Sequence, residues 1–508
     1  MQPAQEGDST SHNRGASPIG DRDRLVLLLI LLFGAALRLF RLDAQSVWYD
    51  EAFSVAHSVR PLAKLFEVLV LDVVHPPLHY LVLHGWFQIA GFGAMQARLV
   101  SAILGTLSIP LLFLLARRFT DSATSLGAAF LLAISQIGVY FSQEARPYAQ
   151  AQFLSLLAAL AFLSFLQKPN FRRSISFAAA STALLYTHYY GAGTLLALGV
   201  YWLIFRRDYS PLVFRRLAAI VALLAVTIVP WILALQSGGR LNQERLVNTG
   251  RPSSARPNLF SPIGALNRFN NGKFESIEAP TSLPQALLGL AVFTLPAAGA
   301  LWYTWRRGPQ GVLLGYLLAA TPVGMAILLG AFGIVFNYRH FSFAVPGYYL
   351  AVAIGWRACF RNIATRSTWL AIVIVISGFA LRANYVVTKP DYREGFLPLA
   401  ESYHPGDCVT ARPRVWNNRV HLAWEVYYRA RGTLRLVPFD SLPNGSTGCE
   451  RLWVVWDRTW WMNLDQAAAQ KSLEAIAMLG ERYKVVERYD HPAIELQLLE
   501  RQPGGAGQ

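Results

Sequence analysis

Apolar runs of about 16 to 22 residues recur along this chain from Leu25 to about Val387, separated by short polar stretches. Each is long enough to cross a hydrocarbon core of about 30 Å as a helix with little or no tilt. The pattern predicts eleven membrane spans: 25–41, 98–116, 122–141, 147–167, 174–189, 191–205, 217–236, 285–305, 311–330, 342–357 and 368–387. Before them, residues 1–24 are polar and rich in Gly, Ser and Pro, which predicts a disordered tail. The first apolar run is followed by no small-residue cleavage site and reads as an uncleaved span. One stretch, "PPLHYLVLHGWFQIAG" at 76–91, carries His79, His84 and Gln88, and its pattern predicts an amphipathic helix lying on the membrane surface. From about Lys389 the texture changes. "DCVTAR", "RLWVVWD", "YKVVERYD" and "AIELQLLE" read as strands, "RVHLAWEVYYRA" and "NLDQAAAQKSLEAIAMLG" as helices. The fold expected is an all-α polytopic membrane domain over 25–388, followed by a small α/β domain over 389–508.

Composition agrees with this division. Of the 508 residues 54% are hydrophobic and only 15% charged, against about 25% charged in a soluble domain. The net charge of +16 does not point to nucleic acid, because the cations form short clusters between apolar runs and not one basic domain. Arg22/Arg24, Arg117/Arg118, Lys168/Arg172/Arg173, Arg206/Arg207/Arg215/Arg216, Arg306/Arg307 and Arg357/Arg361/Arg366 all fall on one side of the membrane if 76–91 is not a span. By the positive-inside bias that side is cytoplasmic. The tail is then inside, and the C-terminal domain is extracytoplasmic. An outer loop 42–97 with amphipathic helices, the turn "YFSQEARPYA", the tip "YTHYYGAG", the loop 237–284 and "VFNYRH" all face out. Loop 237–284 runs against the bias with Arg240, Arg245, Arg251, Arg256, Arg268 and Lys273: either its outside placement is wrong or those charges have a job such as holding an anionic ligand, and its length suits a functional lid. Cys359 ends a span, while Cys408 and Cys449 share the C-terminal domain and either pair or stay as buried thiols.

Four polar groups converge on the outer ends of the spans. In "SVWYDEAFS", Asp50 and Glu51 either favour a helix start through its dipole or supply a general base. In "DVVHPPLHY", Pro76 and Pro77 stiffen the backbone behind His75. In "SQEARPYA", Glu144 and Arg146 either pair within the turn or leave Arg146, beside Tyr148, to bind phosphate. Arg339 and His340 in "NYRHF" put positive charge at an outer span end, which suits a phosphate nearby, and His188, Tyr189 and Tyr190 in "YTHYYG" either line the same cavity or pack as core. His75 and His79 stand four residues apart, but prolines interrupt them and no metal ligand set is complete; a divalent metal is allowed and none is required. Acids, histidines and arginines on one membrane face suit a substrate with an anionic phosphate and a long apolar tail.

"WYDEAFS" followed by "HPPLHY" resembles the first outer loop of the protein O-mannosyltransferases, with their Asp-Glu pair and His-Pro-Pro-Leu. "YFSQEARPYA" and "YRHF" are similar to the wider group of bacterial polyprenyl-phosphate-sugar transferases of GT-C fold, which includes the lipid A aminoarabinose transferases. The resemblance covers residues 25–206 and is mostly topological over 207–388. It implies a GT-C membrane glycosyltransferase, hexosyl- or pentosyl-, that takes its sugar from a polyprenyl-phosphate donor and passes it to a lipid, glycan or protein acceptor in the cell envelope. It places the catalytic acid at Asp50, a second acid at Glu144, and phosphate contacts at Arg146 and Arg339. Where the mannosyltransferases continue with Gly-Lys, this chain has Leu78, His79 and Tyr80, so a lysine phosphate ligand is missing. The alternative is a transporter or flippase of a lipid-linked or anionic solute, which would carry charges in mid-span and broken helices.

Overall fold

The computed structural model describes residues 19–72, 75–248, 261–271, 283–304, 310–331, 338–386, 389, 391–412, 417–438, 448–457, 480, 482–491 and 494–502. Helices stand at all eleven predicted places: α1 (Asp21–Leu39), α5 (Ala94–Ala116), α6 (Ser122–Ala133) with α7 (Gln136–Ser142), α8 (Tyr148–Gln167), α9 (Phe171–Thr187), α10 (Ala192–Phe205), α11 (Pro211–Asn248), α13 (Leu283–Gly289) running through a π turn into α14 (Leu295–Thr304), α15 (Gln310–Ala331), α16 (Val345–Cys359) and α17 (Ile363–Val386). By length and composition six of these are apolar enough to cross a membrane alone, or seven if α6 and α7 form one span. The others fall short for visible reasons. α1 spends its first turn on Asp21 to Arg24, and α9 and α10 are cut to 17 and 14 residues by the 3-10 turn at Tyr189–Gly191.

The α6–α7 span is bent by 54°. Ser135 caps α7 by accepting from the Gly138 N–H at 3.0 Å. The carbonyls freed at the end of α6 are met by Arg38, whose guanidinium donates to Leu132 O and Ala133 O at 3.1 Å each and to Gly34 O at 2.9 Å. A Cβ on Gly34, Gly105 or Gly138 would come within 3.3–3.4 Å of that guanidinium, so the glycines make the room it occupies. Arg38, which falls near the edge of the predicted first span, is wholly buried and serves as a helix cap.

Between α1 and α5 the predicted outer loop folds as α2 (Tyr49–Ser58), α3 (Leu62–Asp72) and α4 (Leu78–Ala90). Helix α4 occupies the stretch expected to be amphipathic and buries His79, Tyr80, Leu83 and Phe87. Much of the long loop is helical too. α11 continues to Asn248, and α12 (Ser261–Asn271) follows. Arg251, Arg256 and Lys273 lie outside the described residues, as do most of the N-terminal tail and all but the last residue of the helix expected at 463–480.

The C-terminal domain opens with the short α18 (Tyr392–Gly395) and α19 (Leu397–Ser402). It then forms a five-stranded sheet from β1 (Cys408–Arg412), β2 (Arg435–Leu436), β3 (Arg451–Asp457), β4 (Tyr483–Asp490) and β5 (Ile494–Arg501). The order is β2-β1-β3-β5-β4, with β1 parallel to both neighbours and β5 antiparallel to β3 and β4. α20 (Asn417–Tyr427) supplies the crossover from β1 to β2, as a parallel pair requires. Cys408 and Cys449 are joined in a disulfide. Leu422 and Val426 of α20 are buried in one apolar cluster with Ala52, Val55, Leu65, Tyr80 and Leu83, so this domain packs directly on α2, α3 and α4.

Candidate active site

Asp50 and Glu51 follow one another near the start of α2, and the turn of about 100° between successive helical residues sends them to different places. Asp50 stays partly exposed and accepts from Arg339 Nη1 at 2.6 Å. Its backbone carbonyl accepts from Arg146 Nη1 at 2.9 Å, and the same nitrogen reaches Ser54 Oγ at 3.1 Å. The second terminal nitrogen of Arg146 lies 3.1 Å from His75 Nε2. A guanidinium only donates, so that histidine nitrogen is unprotonated. Burial and the Arg146 charge both hold His75 well below the ordinary histidine range, which makes the neutral form consistent.

Two more histidines complete the wall. His188 Nδ1 accepts from the Tyr190 N–H at 3.2 Å, so its proton is on Nε2, which faces His340 Nδ1 at 3.3 Å. Burial depresses both, His188 to about 3 and His340 well below its usual value. Tyr148 packs against both rings, at centroid distances of 5.9 and 6.3 Å. Asp50, His75, Arg146, Tyr148, His188, Arg339 and His340 are thus brought together. Tyr189 is turned away: its hydroxyl receives the Trp231 indole N–H at 2.9 Å. Its neighbour Tyr190 stacks on His340 at 5.1 Å instead.

Glu51 belongs to a second, buried network. Both its oxygens are taken by Arg98, from Nε at 2.7 Å and Nη2 at 2.8 Å, and it also accepts the Ala145 N–H at 3.0 Å. Arg98 further ties the backbone carbonyls of Leu42, Gln45 and Ser46. Lys389, which follows α17 in the link to the C-terminal domain, bridges Glu51 at 2.8 Å and Glu144. Glu144 also accepts from Trp48 Nε1 at 2.6 Å. Burial raises the Glu51 carboxyl, but the charges of Arg98 and Lys389 outweigh it and hold the group well below the carboxylate range. Glu144 goes the other way: burial and the Glu51 charge raise it, against Lys389. The Trp48 ring stands between the networks, with Arg339 5.7 Å and Lys389 5.9 Å from its centroid. Sequence reasoning misses Lys389 and Arg98, and no local pattern marks either one. The sequence leaves a lysine missing after the proline pair; here a lysine enters the region from 310 residues further on.

Around Asp50 the described residues gather no metal ligand set, since His75 faces a guanidinium and His188 faces His340. Asp391, Glu394 and His491 do lie within 4.8 Å of one another, but in the C-terminal domain.

Residues 74–233 match the sequence pattern of the dolichyl-phosphate-mannose-protein mannosyltransferase family. ArnT from Cupriavidus metallidurans, in a structure bound to undecaprenyl phosphate, superposes with a TM-score of 0.57 at 13% identity over 93% of this chain and 97% of its own. The fold is GT-C. The Archaeoglobus fulgidus oligosaccharyltransferase, solved in complex with Zn and sulfate, shares it at a TM-score of 0.54 and 14% identity, over 92% of this chain and 72% of its own. So does the mycobacterial arabinofuranosyltransferase AftD, at 0.53 and 13%, over 95% of this chain and 42% of its own. An uncharacterised Aquifex aeolicus (strain VF5) protein is 28% identical over 166 residues, which are 31% of this chain and 33% of that relative. With its apolar helices and this fold, the chain is a multi-pass membrane protein.

Proposed function

We propose that this GT-C protein is a glycosyltransferase that moves a sugar from a polyprenyl-phosphate donor to an acceptor hydroxyl at the outer face of the cell membrane. The observation that carries the reading is the meeting of Asp50 with Arg339 and Arg146 in one place. Asp50 takes the proton from the acceptor hydroxyl, whose oxygen bonds to the anomeric carbon as the bond to the phosphate oxygen breaks. The polyprenyl phosphate leaves with that electron pair. One displacement inverts the anomeric centre. Phosphate leaves without a general acid, and Arg146, Arg339 and the N–H that His75 and His340 each keep receive the charge that gathers on it. Such donors typically contribute about 3 to 4 kcal/mol each. Glu51 and Glu144, both engaged by Lys389, position the loop and take no part in proton transfer. The bent α6–α7 span would suit a transporter, but Arg38, the charge beside it, is spent on carbonyls and holds no solute.

Asp50→Asn, assayed against a panel of radiolabelled polyprenyl-phosphate sugars, should abolish transfer with membrane insertion intact; full activity would remove the base from this scheme. The outer-face placement is tested with Arg488→Cys in a Cys359→Ser background. An impermeant thiol reagent should label whole cells, and labelling only after lysis would invert the orientation.

A further inference from the structure

A cavity of about 270 Å³ opens where the end of α2 meets the C-terminal domain, lined by Ala56, Val59 and Arg60 on one side and by His421, Trp424, Glu425, Arg429, Gly432 and Thr433 on the other. Its charges do not cancel. Glu425 is committed twice, to Arg60 Nη2 at 3.1 Å and to His421 Nε2 at 3.0 Å. Arg429 lies over the Phe92 ring at 5.8 Å and pairs with no carboxylate among the described residues. The cavity therefore keeps a guanidinium in excess, and a planar guanidinium is the side chain best suited to phosphate or carboxylate. His421 also keeps Nδ1 buried with no partner among the described residues. Ala56, Val59 and Trp424 supply an apolar wall, and Thr433 a hydroxyl. The volume lies just below the ~300–1,000 Å³ of most small-molecule sites, which limits the occupant to about one sugar ring. The cavity shares α2 with Asp50, and the helical rise puts Ala56 roughly 9 Å along the axis from it.

We propose that this cavity is an acceptor subsite, selective for a sugar unit that carries an anionic group. The acceptor assignment rests on the transferase reading above; the anion selectivity does not. Glucose 6-phosphate serves as the probe, titrated calorimetrically into the full-length protein in nanodiscs, with glucose as the neutral control. Glucose 6-phosphate should bind and glucose should not. Arg429→Gln should weaken binding about tenfold or more, the usual effect of losing one charge-assisted contact, and Arg429→Lys should weaken it less. Arg429 is exposed, so both variants should melt as the parent does. Equal binding of glucose, or unchanged binding in Arg429→Gln, would overturn the site. Asp50→Asn should bind the probe normally, so a failure of the chemistry leaves this result readable. In transfer assays glucose 6-phosphate should compete with the acceptor. Stimulation of transfer at unchanged acceptor KM would make the ligand a free effector and sink the acceptor assignment.

Discussion

Arg339 donates to the Asp50 carboxylate across 2.6 Å, joining the turn before α16 to the start of α2, 289 residues apart. Paired in this way the carboxylate is a poor base, and a donor phosphate that draws Arg339 away would free it as substrate arrives. Both side chains are about three-quarters buried, so removing Arg339 should cost some stability as well as binding. Arg339→Ala should weaken equilibrium binding of undecaprenyl phosphate by about 1.5–3 kcal/mol, the range for a hydrogen bond to a charged group, measured at a temperature where the variant is folded. Unchanged affinity would refute the phosphate role.

Among the described residues Lys389 is the one cation that touches both Glu51 and Glu144. Lys389→Met would leave two buried carboxylates with Arg98 alone, and removing one member of a buried ionic group typically costs about 3–5 kcal/mol. Glu144, already raised by burial and by Glu51, would then take up a proton. Adding Glu144→Gln removes the stranded charge and should recover much of the lost melting temperature. If the double variant melts no higher than Lys389→Met, the bridge is not what Lys389 contributes.

The Cys408–Cys449 disulfide closes a loop of 41 residues, for which chain-entropy arguments give about 4 kcal/mol. Cys449→Ser should lower the melting of the C-terminal domain by that order. Because α20 packs on α2, it should also loosen the outer loop, visible as faster amide exchange over residues 43–60.

The sequence carries the parts of this site that are local. Asp50, His75, Arg146 and Arg339 stand beside prolines, aromatics and span ends that mark them, and the apolar runs place a helix at each of the eleven predicted spans. Helix phase is less legible. Nothing in "WYDEAF" says that Asp50 faces the cleft while Glu51 turns inward to Arg98, and the 3-10 turn at Tyr189–Gly191 likewise exchanges the roles of Tyr189 and Tyr190. Least legible are contacts that exist only after folding. Lys389 reaches Glu51 across 338 residues, and Arg38 has carbonyls to cap only because the span breaks at Ser135.

Acid should destabilise the outer loop, and His57 shows why. It is buried in α2 against Phe53, with ring centroids 4.4 Å apart. Burial, together with the charge of Arg60, lowers it from 6.5 to about 4. Between those values the unfolded chain binds a proton that the folded protein refuses, so stability falls as pH drops from 6.5 towards 4 and levels off below. The shift corresponds to about 3 kcal/mol. His79 in α4 is lowered to about 4 by burial and should add in the same direction. Melting curves of the parent protein from pH 8 to pH 4 should therefore turn down below about pH 6.5. His57→Phe keeps an aromatic ring in place and removes the titration, so its profile should be flatter over that window. A parent profile flat to pH 4, or a His57→Phe profile with the parent's slope, would show that His57 is not held neutral by the fold.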